Sequence, residues 1–355
     1  MSAESRAPAD PPITDVPRES AAPSGDEVGP ERTSDTSSDA PSPHLPEPKR
    51  GSLLWTVRGM IREVRPSQWV KNTFVLAPVV FAKQITHSSV IVSAVGAFGV
   101  FCILSGAVYT LNDLVDVEAD RAHPVKRKRP IASGQVPPTL AKVMLAVLLV
   151  VGLTGAWIGP WQFGLAATSY FVLNIAYSLR LKKIPYLDVA MLSGFFVLRV
   201  VAGGFAILRT GTGGTKPFSF YLVACTALLA AFLGFGKRRH EISGANAAKQ
   251  RAALQGYSPR VLTLAVILTG LASVAMYTAY TLDPKTMEFF HSRWLWMTAI
   301  HPLLGVLRFA QLVVTRPKAE SPTQEMLRDV PFMLNLVCWV AEIIVIVYQL
   351  RPQAG

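Results

Sequence analysis

Residues 89–120 read SVIVSAVGAFGVFCILSGAVYTLNDLVDVEAD, and the contrast between the two ends of this stretch decides the fold. Residues 89–112 carry no charge, and they exceed the ~20 residues that a helix needs to cross a bilayer core. The far end has the opposite character: Asp113, Asp116, Glu118 and Asp120 place four acids within eight residues, just where the apolar span runs out. A membrane helix that ends on clustered carboxylates carries its chemistry at one face of the bilayer.

The apolar pattern recurs along the chain. Nine spans are expected, at 67–83, 89–112, 138–157, 160–179, 186–208, 218–236, 259–281, 294–314 and 330–350. Ahead of the first, residues 53–64 mix Leu53, Leu54, Trp55, Val57, Met60 and Ile61 with Arg58 and Arg62, the composition of an amphipathic helix lying in the membrane interface. Residues 1–50 are unlike the rest. They hold ten prolines, eight serines, ten acids and five bases with almost no large apolar side chain, too little to offset chain entropy, so a disordered polar tail is expected. No basic-then-apolar leader occurs there, so the first membrane helix is expected to direct insertion. The chain thus divides into a tail, 1–50, and a nine-helix transmembrane catalytic domain, 51–355.

Charge agrees with this reading. Only 16% of the residues are charged, against about 25% in a soluble domain. Of 35 Lys+Arg and 23 Asp+Glu, 30 bases and 13 acids follow residue 50, a balance that suits either a nucleic-acid binder or a membrane protein with basic loops. The long apolar spans exclude nucleic acid as a partner, and exclude a soluble enzyme. Alternate connections between spans hold 21 of the bases and the remaining connections six, which places the N-terminus in the cytoplasm and the C-terminus outside. Cys102, Cys225 and Cys338 stand far apart inside apolar runs, without metal-ligand spacing, and are expected as buried free thiols.

The acidic cluster is the sharpest chemical signal. On one continuous helix, Tyr109, Asn112/Asp113, Asp116 and Asp120 share a face, and stacked carboxylates repel one another unless a cation sits among them. Hard oxygen donors without nearby cysteine favour Mg²⁺, which keeps several waters and takes one or two carboxylates plus substrate phosphates. Directly after it, Lys126-Arg127-Lys128-Arg129 lies between Pro124 and Pro130, four consecutive bases suited to a diphosphate; His123 reads as a loop residue. A second constellation two spans later contains Tyr177, Arg180, Lys182, Lys183 and Asp188. Arg199 follows Asp188 by 11 residues on the same face but about 16 Å along the axis, too far for pairing. An arginine at that depth should face a polar cavity or an anion. Lys237-Arg238-Arg239 ends the sixth span, on the same side. Together these describe a cytoplasm-facing cavity among membrane helices, built for loss of diphosphate from a carbon centre.

Asn112-Asp113-x-x-Asp116-x-x-x-Asp120, the 126–134 loop and Tyr177…Lys182…Asp188 resemble the two motifs of the UbiA superfamily of membrane prenyltransferases, over essentially residues 60–350. The resemblance implies an all-α, polytopic fold of nine transmembrane helices around a central cavity. Within the superfamily, Arg65-Pro-x-Gln68-Trp69-x-Lys71-Asn72, Lys126-Arg127-x-Arg129-Pro130 and Leu198-Arg199-x-x-Ala-Gly203-Gly204 are similar to members that transfer 5-phosphoribose to decaprenyl phosphate. The aromatic prenyltransferases usually carry paired acids in the second motif. Here Asp188 has no acid three or four residues away, and Lys182, Lys183 and Arg199 stand in that region instead.

The resemblance implies the following chemistry. Asn112 and Asp116, with Asp113 as a further ligand or helper and Asp120 behind, hold Mg²⁺ on the diphosphate of 5-phosphoribosyl 1-diphosphate. Lys71, Tyr109, Lys126 and Arg129 orient the donor, with Tyr177, Lys237 and Arg238 in the substrate site. Lys182 and Arg199 position the phosphate of a polyprenyl (decaprenyl) phosphate, which attacks carbon 1 and displaces diphosphate, and Asp188 orients Lys182 or the ribose. The implied setting is the inner membrane of a bacterial cell, with the site cytoplasmic and the lipid-linked pentose destined for cell-wall arabinan. Lipid-facing surfaces could support a homo-oligomer. The alternatives are an aromatic prenyltransferase that uses a polyprenyl diphosphate, and a channel or transporter, which would show repeats or broken helices at midplane.

Overall fold

Backbone that crosses lipid must satisfy its own N–H and C=O groups, and helices do this within one segment. The computed structural model describes residues 51–81, 87–208, 210, 219–243, 256–315, 325, 326 and 328–348, and among them there is no strand. The expected tail, 1–50, lies outside the described residues. All described residues belong to one compact unit, Pro48–Gly355.

Helix α1 (Leu53–Glu63) starts on Ser52, whose hydroxyl accepts from the Trp55 backbone N–H at 3.2 Å. It presents Leu53, Leu54, Val57 and Ile61 outward beside exposed Arg58 and Arg62, while Gly59 and Glu63 are buried. An amphipathic helix thus stands at the position expected, 53–64. The first expected span is not one α-helix. Pro66–Leu76 is a 3₁₀ helix, followed by α2 (Ala77–Phe81), and 82 and 83 fall outside the described residues. Pro78, inside the expected span, lacks the N–H that a continuous α-helix needs. The segment also lies so close to the seventh helix that a Cβ on Gly203 would sit 1.9 Å from the Val75 carbonyl oxygen.

The chain continues through α3 (Ser88–Val115), α4 (Val117–Ala122), α5 (Pro138–Ile158), α6 (Trp161–Leu179), α7 (Leu187–Ala206) and α8 (Phe220–Ser243). It ends with α9 (Pro259–Leu282), α10 (Pro284–Phe290), α11 (Ile300–Thr315) and α12 (Val330–Tyr348). Among the described residues six helices are long and apolar enough to cross a membrane: α3, α5, α7, α8, α9 and Leu295–Thr315, the last entering through a 3₁₀ turn. α6 and α12 occupy the fourth and ninth expected positions. α8 outruns its expected end by two turns, so Lys237, Arg238 and Arg239 are helical rather than in a loop.

Two of the apolar clusters among the described residues each join several helices. Phe101 and Leu104 of α3, Phe163 and Tyr170 of α6, and Phe195 and Ala202 of α7 form one; Phe232, Val266, Phe309 and Val313 form the other. Of the three free thiols, Cys102 is buried, Cys225 half-buried and Cys338 exposed, because α12 turns that face outward.

Candidate active site

The acidic stretch does not form one helical face. α3 ends at Val115, Asp116 adopts φ −93° and ψ 7°, and α4 restarts at Val117. This break sorts the acids into two groups. Asp113 and Asp120, each 2% exposed, both accept from one terminal nitrogen of Arg129, at 3.0 and 2.6 Å. Asp113 also accepts from Arg65 through both carboxylate oxygens, at 2.7 and 2.8 Å, and Lys126 Nζ stands 4.0 Å from Asp120. Arg65 occupies a left-handed conformation, φ 51°, between α1 and the 3₁₀ segment, and its guanidinium stacks over the Tyr109 ring at 4.6 Å. Behind this knot lies Glu63, fully buried, its carboxyl oxygens without a hydrogen-bond partner among the described residues. Burial, and then the charge of Asp113 beside it, push the Glu63 carboxyl up to about 8.

Asn112 and Asp116 form the second group. Both are half-buried, and neither side chain is engaged in a hydrogen bond or ion pair among the described residues. Asp113, expected with them as a ligand, is occupied by two arginines. The described residues contain no group of three or more His, Cys, Asp or Glu side chains that could hold a metal ion. One carboxylate and one amide oxygen fit a Mg²⁺ that keeps several waters and completes its shell on phosphates, and they do not fit an all-protein cage.

A group of cations gathers around Lys71. Lys71, on the 3₁₀ segment, lies in the field of Lys237, Arg199 and Arg65, four cations from three parts of the chain. Arg199, 7% exposed, donates to Asn72 Oδ1 at 2.8 Å, to the Tyr170 hydroxyl at 2.8 Å and to the Phe195 carbonyl at 3.0 Å. Asp188 is not its partner, in line with the 11-residue spacing.

The second constellation is split as well. Lys182, in the 3₁₀ turn Leu181–Lys183, is half-buried, and the Tyr177 ring meets Phe195 edge-on at 5.7 Å. Asp188, fully buried at the start of α7, receives Arg238 Nε at 2.7 Å and the Tyr257 hydroxyl. Arg238 also bonds Glu241 and is 2% exposed. Asp188 therefore ties α7 to α8 and to the residues leading into α9, instead of reaching Lys182, and Arg238 is committed to that tie rather than open to a substrate. His123 is a loop residue: its Nδ1 accepts from the backbone N–H groups of Val125 and Lys126 at 3.2 and 3.3 Å.

A cavity of about 390 Å³ with almost wholly apolar walls lies away from the acids, among Phe74, Leu229, Tyr277, Phe309 and Trp339. It adjoins the cations through two rings: Phe74 meets Phe196 at 5.0 Å, and the Arg199 guanidinium stacks on Phe196 at 5.3 Å.

Residue types alone did not single out Glu63, Asn72, Ser105, Tyr170 or Tyr257, and Arg65 read only as a basic-loop residue. The Arg65…Lys71-Asn72 string was the available signal for two of them. Tyr170 and Ser105 are ordinary inside apolar helices, and only their partners across the bundle distinguish them.

A model of the UbiA prenyltransferase family matches residues 73–336. The decaprenyl-phosphate phosphoribosyltransferase of Mycolicibacterium smegmatis is 31% identical over 314 residues, covering 85% of this chain and 96% of that one. The protein of the same name from Mycobacterium tuberculosis H37Rv is 32% identical over 294 residues, covering 81% and 93%. Among solved structures, a UbiA homologue from Archaeoglobus fulgidus bound to DMAPP and Mg²⁺ superposes with a TM-score of 0.57 at 17% identity, over 82% of this chain and 99% of the other. A digeranylgeranylglyceryl phosphate synthase superposes with a TM-score of 0.59 at 18% identity, over 80% and 98%. At such identities the structural likeness speaks for the fold alone.

Proposed function

This chain belongs to the UbiA prenyltransferase family, and from that premise we propose that it moves 5-phosphoribose from 5-phosphoribosyl 1-diphosphate to decaprenyl phosphate, releasing diphosphate. The observation that carries the reading is the gathering of Lys71, Arg65, Arg199 and Lys237, with Arg65 bound to Asp113, the chain neighbour of half-buried Asn112. Donor and acceptor together bring three phosphate-bearing groups, which this many cations suits and an aromatic acceptor does not. The names of the relatives support the same substrates.

Asn112 and Asp116 would hold Mg²⁺, which when bound neutralises charge on the diphosphate as it leaves. Arg65 and Arg129, resting on Asp113, and Lys71 and Lys126 nearby orient the donor phosphates. Lys182 and Arg199 receive the lipid phosphate. One of its oxygens forms the bond to carbon 1 as the bond from carbon 1 to the diphosphate oxygen breaks, and the electron pair leaves with diphosphate. No general base is needed, because the nucleophile is already an anion. The apolar cavity beyond Phe74 and Phe196 takes the first part of the polyprenyl tail, and the rest lies in the bilayer. The site faces the cytoplasm of a bacterial cell from the inner membrane, and the C-terminus lies outside.

The test is purified protein in detergent with Mg²⁺ and labelled phosphoribosyl diphosphate, with and without decaprenyl phosphate. Lipid-extractable label should require both Mg²⁺ and the lipid phosphate, and should fall by about 10² or more in Asp116→Ala. Absence of label in the parent protein, with prenylation of an aromatic acid from a polyprenyl diphosphate, would overturn the reading.

A further inference from the structure

Arg199 lies in a membrane-spanning helix, about 16 Å along α7 from Asp188. A guanidinium at such a place usually meets a carboxylate. Here all three of its acceptors are neutral, namely the Asn72 amide, the Tyr170 hydroxyl and the Phe195 carbonyl. The faces of Tyr170 and Phe196 flank it at 4.8 and 5.3 Å. The acceptors are themselves held. The Ser105 hydroxyl lies 3.1 Å from that of Tyr170 and within 3.3–3.4 Å of the Asn72 amide atoms. Asn72 is 1% exposed, on the segment that Gly203 lets down onto α7. Among the described residues three of the five guanidinium N–H groups are engaged, which leaves one on each terminal nitrogen.

We infer that Asn72, Ser105 and Tyr170 are positioning residues that hold the Arg199 guanidinium with its charge uncompensated, turned to receive the phosphate of the polyprenyl acceptor. This rests on the transfer reading above. The acceptor rather than the donor is assigned to Arg199 because the guanidinium rests on Phe196, and Phe196 on the Phe74 wall of the apolar cavity. An anion at that position has its apolar tail in the cavity. The choice of asparagine follows: an aspartate would make the same hydrogen bond to Nε but would cancel the charge that the lipid phosphate seeks.

Asn72→Asp is therefore the decisive variant, since it keeps the shape and the bond to Nε while adding a charge. It also gives up the Nδ2 donor to Ser105 and Cys102, which the Ser105 hydroxyl can answer by donating to the carboxylate. If the cradle served packing alone, this variant would be at least as stable as the parent and its kinetics would be unchanged. Our inference expects equal or higher thermal stability together with a KM for decaprenyl phosphate raised about tenfold or more, the size of one charge-assisted bond, and an unchanged KM for phosphoribosyl diphosphate. Tyr170→Phe should move the acceptor KM in the same direction by less. A second readout is independent of turnover: stabilisation of the detergent-solubilised protein against heat by decaprenyl phosphate alone. It should be lost in Asn72→Asp, while stabilisation by phosphoribosyl diphosphate with Mg²⁺ persists. Loss of the lipid effect in Asn72→Asp would uphold the cradle even if the parent transferred no phosphoribose, which separates its failure from that of the transfer reading. Equal stabilisation of parent and variant by the lipid, or a shift in the donor KM instead, would overturn it.

Discussion

At the residue scale, the site is governed by which acid meets which base. Asp113 and Asp120 are spent on Arg65 and Arg129, while half-buried Asp116 has no partner among the described residues, and we propose it as the carboxylate that takes the metal. Glu63 stands behind them, buried, with its carboxyl pushed up to about 8. In the unfolded chain an ordinary glutamate releases its proton near pH 4.5, whereas the folded chain keeps it to about pH 8. The folded state thus binds the extra proton across that window, and the contribution of Glu63 to stability falls as pH rises through it. Glu63→Gln mimics the protonated form at every pH. Thermal unfolding in detergent should show the parent losing more stability than the variant between pH 5 and pH 8, and equal losses would mean that Glu63 is ionised in the folded protein.

At the element scale, the 3₁₀ segment Pro66–Leu76 is what sets Lys71 and Asn72 over α7. Its closeness depends on one missing methyl group, since a Cβ at Gly203 would stand 1.9 Å from the Val75 carbonyl oxygen. Backbone cannot yield as a side chain tip can, so Gly203→Ala should cost about 1–3 kcal/mol or more. A lower melting temperature together with reduced phosphoribosyl transfer is the expected outcome. Loss of transfer at unchanged stability would mean that the segment shifts without strain. The buried tie from Asp188 to Arg238 and Tyr257 works at this scale too, linking α7, α8 and the approach to α9. Removing one member of such a pair strands the other, so we propose that these residues act through the fold.

For the whole molecule, the bases are distributed in a way that helix packing does not require. Counted over the connections expected from the sequence, alternate ones hold 21 against six, which supports our proposal that the acidic and basic loops face the cytoplasm. Cysteines introduced at Lys128 and Lys285 would report this with a membrane-impermeant maleimide. In intact spheroplasts the cysteine replacing Lys285 should label and that replacing Lys128 should label only after permeabilisation; the reverse pattern would invert the topology.

By itself the sequence determined that this is a helical membrane protein, where most of its helices lie, and that the end of α3 carries carboxylates beside a basic loop. Hydropathy and a 3.6-residue period are local properties, and the bilayer turns them directly into helices. Even so, the period placed Asp113, Asp116 and Asp120 on one face, and the turn at Asp116 separated them, because Arg65 and Arg129 draw two of the three inward. The partners are set by packing across the bundle: Arg65 with Asp113 across 48 residues, Arg238 with Asp188 across 50, and Arg199 with Asn72 across 127. Such pairs are chosen by how helices pack and which chain segment comes closest, and no period along the chain records that.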